Sequence, residues 1–178
     1  IFCTKENFQH YFISKNKTFG IVVNGTFSDN NINTTSHTPI IDRTSGQTQQ
    51  VLLATGQAAS NNRNLSSNIN YRFTDSIGRE FNVDGDVAYY IAGRNDLQPN
   101  TYYNGDQTEV ISQFGFRMDT PVNIYLFSLK TDLAQRLGKG NLAYGLKSSF
   151  VKTDNTFRFY DVNDGTEQFN ENRSNIFS

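Results

Sequence analysis

The densest run of side chains able to select a ligand is Gly93–Asp106, which carries Arg94, Asn95, Asp96, Asn100, Tyr102, Tyr103, Asn104 and Asp106. Sugar hydroxyls come as donor and acceptor pairs that Asp and Asn side chains match, while a tyrosine face covers the apolar C–H side of a pyranose. Read as a loop between two strands, the segment is expected to bind a glycan or a polar protein partner, since loops on a rigid framework carry much of binding. The alternative is an ordinary connection, with Pro99 and Gly105 shaping turns and the tyrosines packed inward.

Other constellations are thinner. Asp161, Asn163, Asp164 and Glu167 place oxygen ligands at near-alternating positions, as Ca²⁺ requires, but Gly165 falls at the fifth position of an EF-hand count and the same residues make ordinary turns. Asp84 and Asp86 form a second close carboxylate pair. A Cys3–His10 nucleophile pair lacks a supporting signature, and His37 reads as an exposed polar residue. No nucleophile elbow, phosphate-cradling glycine loop or zinc-protease helix occurs. Glu80, Asp84, Asp86 and Glu109 are the carboxylates a glycoside hydrolase would need. The expectation is a protein that is not an enzyme and uses no cofactor or metal.

The elements that must position these residues are strands. Period-2 alternation runs through Thr18–Phe27, Asn68–Asp75, Asp106–Met118 and Thr156–Val162, where Ile69, Tyr71 and Phe73, for example, oppose Asn68, Asn70 and Arg72. Each apolar face is expected to meet a protein core. Val122–Leu129 and Val87–Ala92 are apolar on both faces and read as central strands. Thr131–Leu137 resembles a short capped helix stopped by Gly138, and Thr4–Lys15 fits either helix or strand. Ser28–Thr38 and Gln57–Ser67 read as long polar connections. Asn24-Gly25, Asp84-Gly85, Asn104-Gly105 and Asp164-Gly165 are expected turns.

Composition agrees with extended structure. The 178 residues include 22 Asn and 15 Phe but only 7 Lys and 5 Glu, a balance that disfavours helical surfaces. A formal net charge of −1 excludes nucleic-acid binding by bulk charge. No apolar run is long enough for a membrane span on the helical criterion, so none is expected. The chain opens on Ile1, which predicts a processed product, and Cys3 is its single cysteine. The fold expected is one all-β domain over residues 1–178, an antiparallel β-sandwich of immunoglobulin or jelly-roll type with one or two short helices.

Leu97–Val110, with Pro99 before Thr101-Tyr102 and a run to Val110 after it, resembles the approach to a closing strand in bacterial usher-pathway pilus subunits, where a Pro/Gly turn precedes Thr-Tyr. The chain runs on for 68 residues past Val110, and its single cysteine cannot form the disulfide many such subunits carry. A tip adhesin's receptor-binding domain accommodates both departures. The resemblance implies a secreted or fimbrial surface protein whose partners are a host glycan or glycoprotein and other pilus subunits. The alternatives are a structural subunit of a pilus, tail fibre or capsid, and a polysaccharide hydrolase.

Overall fold

The computed structural model describes residues 2–177 as strands and turns with a single 3-10 turn. The order is β1 (Phe2–Ser14), β2 (Lys17–Ile41), β3 (Thr48–Thr74), β4 (Glu80–Asn104), β5 (Val110–Asp119), β6 (Val122–Leu137), β7 (Gly140–Asn163), β8 (Thr166–Phe169), the 3-10 turn Glu171–Arg173, and β9 (Asn175–Phe177). All pairings are antiparallel and belong to one nine-stranded sheet. No second layer packs on it, so the expected sandwich is replaced by a single sheet.

The pairing of β4 with both β5 and β6 has a simple cause. Asn95 partners Asp119 and Ala92 partners Val122, so β5 and β6 continue one another along β4 without a change of register. β7 confirms this from the other side, with Arg158 opposite Asp119 and Asn155 opposite Val122. The interruption falls at Thr120-Pro121, where proline has no N–H to give the ladder. Thr120 N–H still donates to Arg94 at 2.8 Å, and Thr156 N–H to the Pro121 carbonyl at 3.1 Å. β8 and β9 likewise lie end to end along β7. The sheet is therefore an up-and-down meander of very long strands.

Those lengths are unusual. β2, β3, β4 and β7 contain 25, 27, 25 and 24 residues, against a mode of about 5–6 in globular proteins. The segments expected as polar connections are their middles: Asn33 pairs with Gln57, and Gly93–Asn104 is the second half of β4. Thr131–Leu137 is strand, not helix, because Leu133 and Leu137 are held by cross-strand partners in β7. Thr4–Lys15 resolves as strand up to Ser14. Asn24-Gly25 and Asp84-Gly85 also lie mid-strand, paired on both sides. The turns at Asn104-Gly105 and Asp164-Gly165 form as expected; Asp164 and Gly165 have φ of 50° and 76°, the left-handed pair a two-residue hairpin needs.

The two ends of the sheet differ. One end closes with residues 15–16, 75–79 and 138–139, the other with 42–47, 105–109 and 164–165. In the 42–47 loop the Asp42 carboxylate accepts from the Thr44 and Ser45 N–H groups, each at 2.8 Å, and from Ser45 Oγ at 3.1 Å. The Ser45 N–H, then the Thr44 N–H, hold this carboxyl below its usual range. A depressed native value means the loop's stabilisation is complete above the ordinary carboxylate range and disappears as pH falls through the depressed value. Amide exchange in residues 42–47 should therefore accelerate between about pH 5 and pH 2 beyond the intrinsic rate. Asp42→Ala should abolish that excess acceleration; equal pH dependence in both proteins would refute the assignment.

Hardly any core exists. Val51 and Phe159 are the buried hydrophobic side chains among the described residues, and the accessible surface is 12499 Å². A soluble globular chain of this mass would expose about 8,700 Å². The alternating apolar residues therefore do not line a protein interior: Ile69 is 45% exposed and Phe127 48%.

Candidate functional site: a membrane-crossing sheet face

Register decides which side chains share a face, because successive residues of a strand point to opposite sides. One face carries Phe8 and Phe12 from β1, Phe19, Ile21 and Val23 from β2, and Leu65, Ile69, Tyr71 and Phe73 from β3. It continues through Phe81, Val83, Val87 and Tyr89 of β4, Tyr125, Phe127, Leu129 and Leu133 of β6, and Tyr144, Leu146 and Phe150 of β7. This forms a mainly apolar belt, in which His10, Ser67, Thr131 and Ser148 are the polar side chains. From Leu65 to Phe73 its height matches the roughly 9–11 residues with which a tilted strand crosses hydrocarbon. Tyr89 and Tyr125 stack at one rim, ring centroids 4.4 Å apart and hydroxyls 3.2 Å apart, and Tyr71 and Tyr144 lie towards the other. Aromatic rims of this kind border lipid-facing bands.

The reverse face at the same level is polar. Asn68 Nδ2 donates to Asp86 at 2.7 Å, Asn70 donates to Asn68 at 3.2 Å, Asn82 to Glu80 at 3.0 Å, and Arg72 pairs with Glu80 at 3.1 Å. Asn7 and Asn24 bond across β1 and β2, and Lys130 pairs with Asp132 at 2.6 Å. Asn24, Ser66, Asn68, Asp86, Ser128, Lys147 and Ser149 line a groove of about 410 Å³, together with Ala88, Tyr90 and Leu126. Ser128 is 6% exposed and its hydroxyl has no protein partner.

Beyond the Thr120-Pro121 break the polarity of the two faces reverses. The face that was apolar now carries ion pairs: Asp29 with Arg63 at 2.8 Å, Asp119 with Arg158 at 3.0 Å, and Arg117 with Glu167 at 2.9 Å. Arg117 also lies 3.9 Å from the centroid of the Tyr160 ring. The reverse face gains an aromatic cluster beside the Arg94–Asp96 ion pair, with Tyr102 stacked on Phe114 at 5.7 Å and Phe116 on Phe159 at 5.6 Å. The Arg173 guanidinium covers Phe159, 3.5 Å from the ring centroid. Reversal along continuous strands means that the medium outside the sheet changes from lipid to water at this row.

The eight candidate ligand residues do not converge. Arg94 and Asp96 share a face and pair with each other at 2.6 Å, whereas Asn95 points to the opposite side, beside Asp119. Asn100 is buried at 8% exposure and reaches only the Gln98 carbonyl, at 3.5 Å. Tyr102 stacks inside on Phe114 while Tyr103 faces outward next to Val51. Asn104 and Asp106 close the turn: Asn104 accepts from the Glu109 N–H at 3.0 Å and donates to Thr108 at 2.9 Å, and Thr108 donates to Asp106 at 3.0 Å. These residues run along a β-strand and its closing turn and divide between two faces, so the loop geometry on which the glycan expectation depended is absent. Asp161 accepts from Asn170 at 2.7 Å, and no group of three or more metal-ligating acidic, His or Cys side chains occurs among the described residues. Cys3 is exposed, and His37 contacts Gln107 at 2.9 Å.

An antiparallel meander with a lipid-height apolar belt on one face and a hydrogen-bonded polar network on the other defines the wall of a transmembrane β-barrel. The comparison with known families agrees: the chain belongs to the outer membrane protein beta-barrel family, whose model matches residues 72–178. A search of curated proteins gave no match. The expectations of a pilus-type adhesin, a fimbrial or secreted location, soluble glycan-binding partners and the absence of a membrane span are overturned by this membership and by the belt. The alternative of a pilus, tail-fibre or capsid subunit falls with them. The span is made by strands; among the described residues no helix is long and apolar enough to cross a membrane.

Proposed function

We propose that this chain forms part of the wall of a hydrated pore for small polar solutes, without catalytic chemistry of its own. The observation that carries the reading is the polar stripe of Asn24, Asn68, Asp86, Ser128, Lys147 and Ser149 behind the lipid belt. Amide, hydroxyl and charged groups at hydrocarbon depth are tolerated only where water or protein satisfies them. The outer edges of β1 and of β8–β9 carry no strand among the described residues. In lipid these edges are closed by further strands, because an open edge leaves unpaired N–H and C=O groups. We place the short turns at 15–16 and 138–139 on the periplasmic side and the long far ends of β2–β4 outside, following the usual asymmetry of such barrels.

The test is permeability of liposomes reconstituted with the full-length protein. Ion conductance well above that of empty vesicles is expected. Lys147→Glu, which reverses a charge at the groove, should shift the cation-to-anion permeability ratio towards cations. Correctly inserted protein that conducts no better than empty vesicles would retire the pore.

A further inference from the structure

We infer that the short-turn end of the sheet is a docking surface for the phosphate headgroups of an anionic phospholipid leaflet, an inference that rests on the barrel reading above. The two ends carry opposite charge. At the short-turn end, Arg72 and Arg79 are matched by Glu80 and Asp75. Lys15, Lys17 and Lys139 remain there, with Arg136 on the opposite face of β6, all exposed and without an ion pair among the described residues. At the opposite end the loops contain Asp42, Asp106, Glu109 and Asp164 against Arg43 alone. The surplus of positive charge thus lies at one rim.

The cations sit where headgroups would meet them. Lys17 is the cross-strand partner of Phe73, on the lipid face at the lower border of the belt. Lys139 occupies the tip of the β6–β7 turn. Beneath it Leu142 and Leu137 continue the outward apolar column, and Leu137 is 65% exposed. Lys15 lies in the two-residue turn between β1 and β2, two positions from Lys17. A lysine rooted at an apolar border extends its stem along hydrocarbon and presents its ammonium at the phosphate level. Each such residue attracts an anionic surface strongly enough to change local lipid occupancy about fivefold.

Contrast this with the upper border. There Arg63, Arg158 and Arg117 are each matched by a carboxylate within 3.0 Å, and that rim carries no surplus charge from these pairs. Charge complementarity therefore assigns the anionic leaflet to the short-turn end and a zwitterionic or hydrated environment to the other.

The experiment is lipid retention by the full-length protein purified from nanodiscs that contain phosphatidylcholine and about one-third phosphatidylglycerol, read by mass spectrometry. The wild type should retain phosphatidylglycerol in excess over its share of the mixture. The triple variant Lys15→Gln/Lys17→Gln/Lys139→Gln should bring retained phosphatidylglycerol back to about its one-third share at low salt. Arg43→Gln, at the other end, should leave it unchanged. Retention that is unaffected by the triple variant, or reduced as much by Arg43→Gln, would overturn the docking surface while leaving the barrel intact. Failure of the wild type to insert even into neutral discs would instead remove the barrel on which it depends.

Discussion

Phe127→Arg will lower the stability of the folded protein in a bilayer by about 1–3 kcal/mol, between the cost of a cation at the midplane of a lipid-facing strand and the small cost at the interface. Phe127 lies on the belt one row inside the Tyr89–Tyr125 rim, flanked on its own strand by Tyr125 and Leu129 and across strands by Val87 and Phe150. No carboxylate shares that row on the lipid face. The paired control is Ser149→Arg, one residue from Phe150 but on the groove side, beside Asp86 and Lys147. There the guanidinium meets water and a carboxylate, so the effect should stay within about 1 kcal/mol. Reversible denaturant unfolding in vesicles measures both. Equal penalties at the two positions would contradict the assignment of faces.

Phe159→Ala will destabilise the half of the sheet beyond the Thr120-Pro121 break by about 3–5 kcal/mol, the usual cost of emptying a filled aromatic site. Phe159 is 3% exposed. Its ring touches those of Phe116 and Phe157 and lies under Arg173, so truncation loses ring packing and the cation–π contact together. The loss should be local. Amide exchange in β5, in the upper part of β7 and in β8 should rise steeply, while the belt-level parts of β3, β4 and β6 keep their protection. Uniform loosening of both halves would show that the upper half has no core of its own.

Much of the strand content was legible in the alternation. Ile69, Tyr71 and Phe73 against Asn68, Asn70 and Arg72 do occupy opposite faces of β3. The all-β class followed from that pattern and from the scarcity of Lys and Glu. What misled was the choice of medium. An alternating strand has the same period whether its apolar side meets a second sheet or a bilayer, and its mean hydropathy stays low in both cases. The helical length criterion for a membrane span was therefore blind to these strands.

The connections were misread for a related reason. Ser28–Thr38 and Gln57–Ser67 lie partly or wholly beyond the lipid belt, where a sheet in water tolerates polar side chains on its outer face, so composition marked them as loops although their backbones are fully laddered. Asn24-Gly25 and Asp84-Gly85 carry turn chemistry but face ladder partners on both sides, and pairing overrides the local preference. Thr131–Leu137 satisfied a helical spacing that β7 overrides in the same way.

The candidate site fared worse. Arg94 through Asp106 drew notice as a chemically rich string, yet a strand deals such a string alternately to two faces, and only Arg94 with Asp96 met. The groove residues that do share a face, Asn24, Asn68, Asp86, Ser128, Lys147 and Ser149, come from five strands. No spacing in the sequence joins them, although the polar half of each alternating segment was visible signal.

Taken alone, the order of residues settled that the chain is extended, that its side chains divide into apolar and polar sets at period two, and where two of its hairpins turn. Those are local matters, decided by φ/ψ preference and side-chain chemistry within a few residues. Which set faces lipid, where that assignment reverses, and which polar groups meet behind the belt depend on pairings between residues far apart in the chain. Only the assembled sheet could decide them, because it is the register between strands that adds alternating residues into a continuous surface.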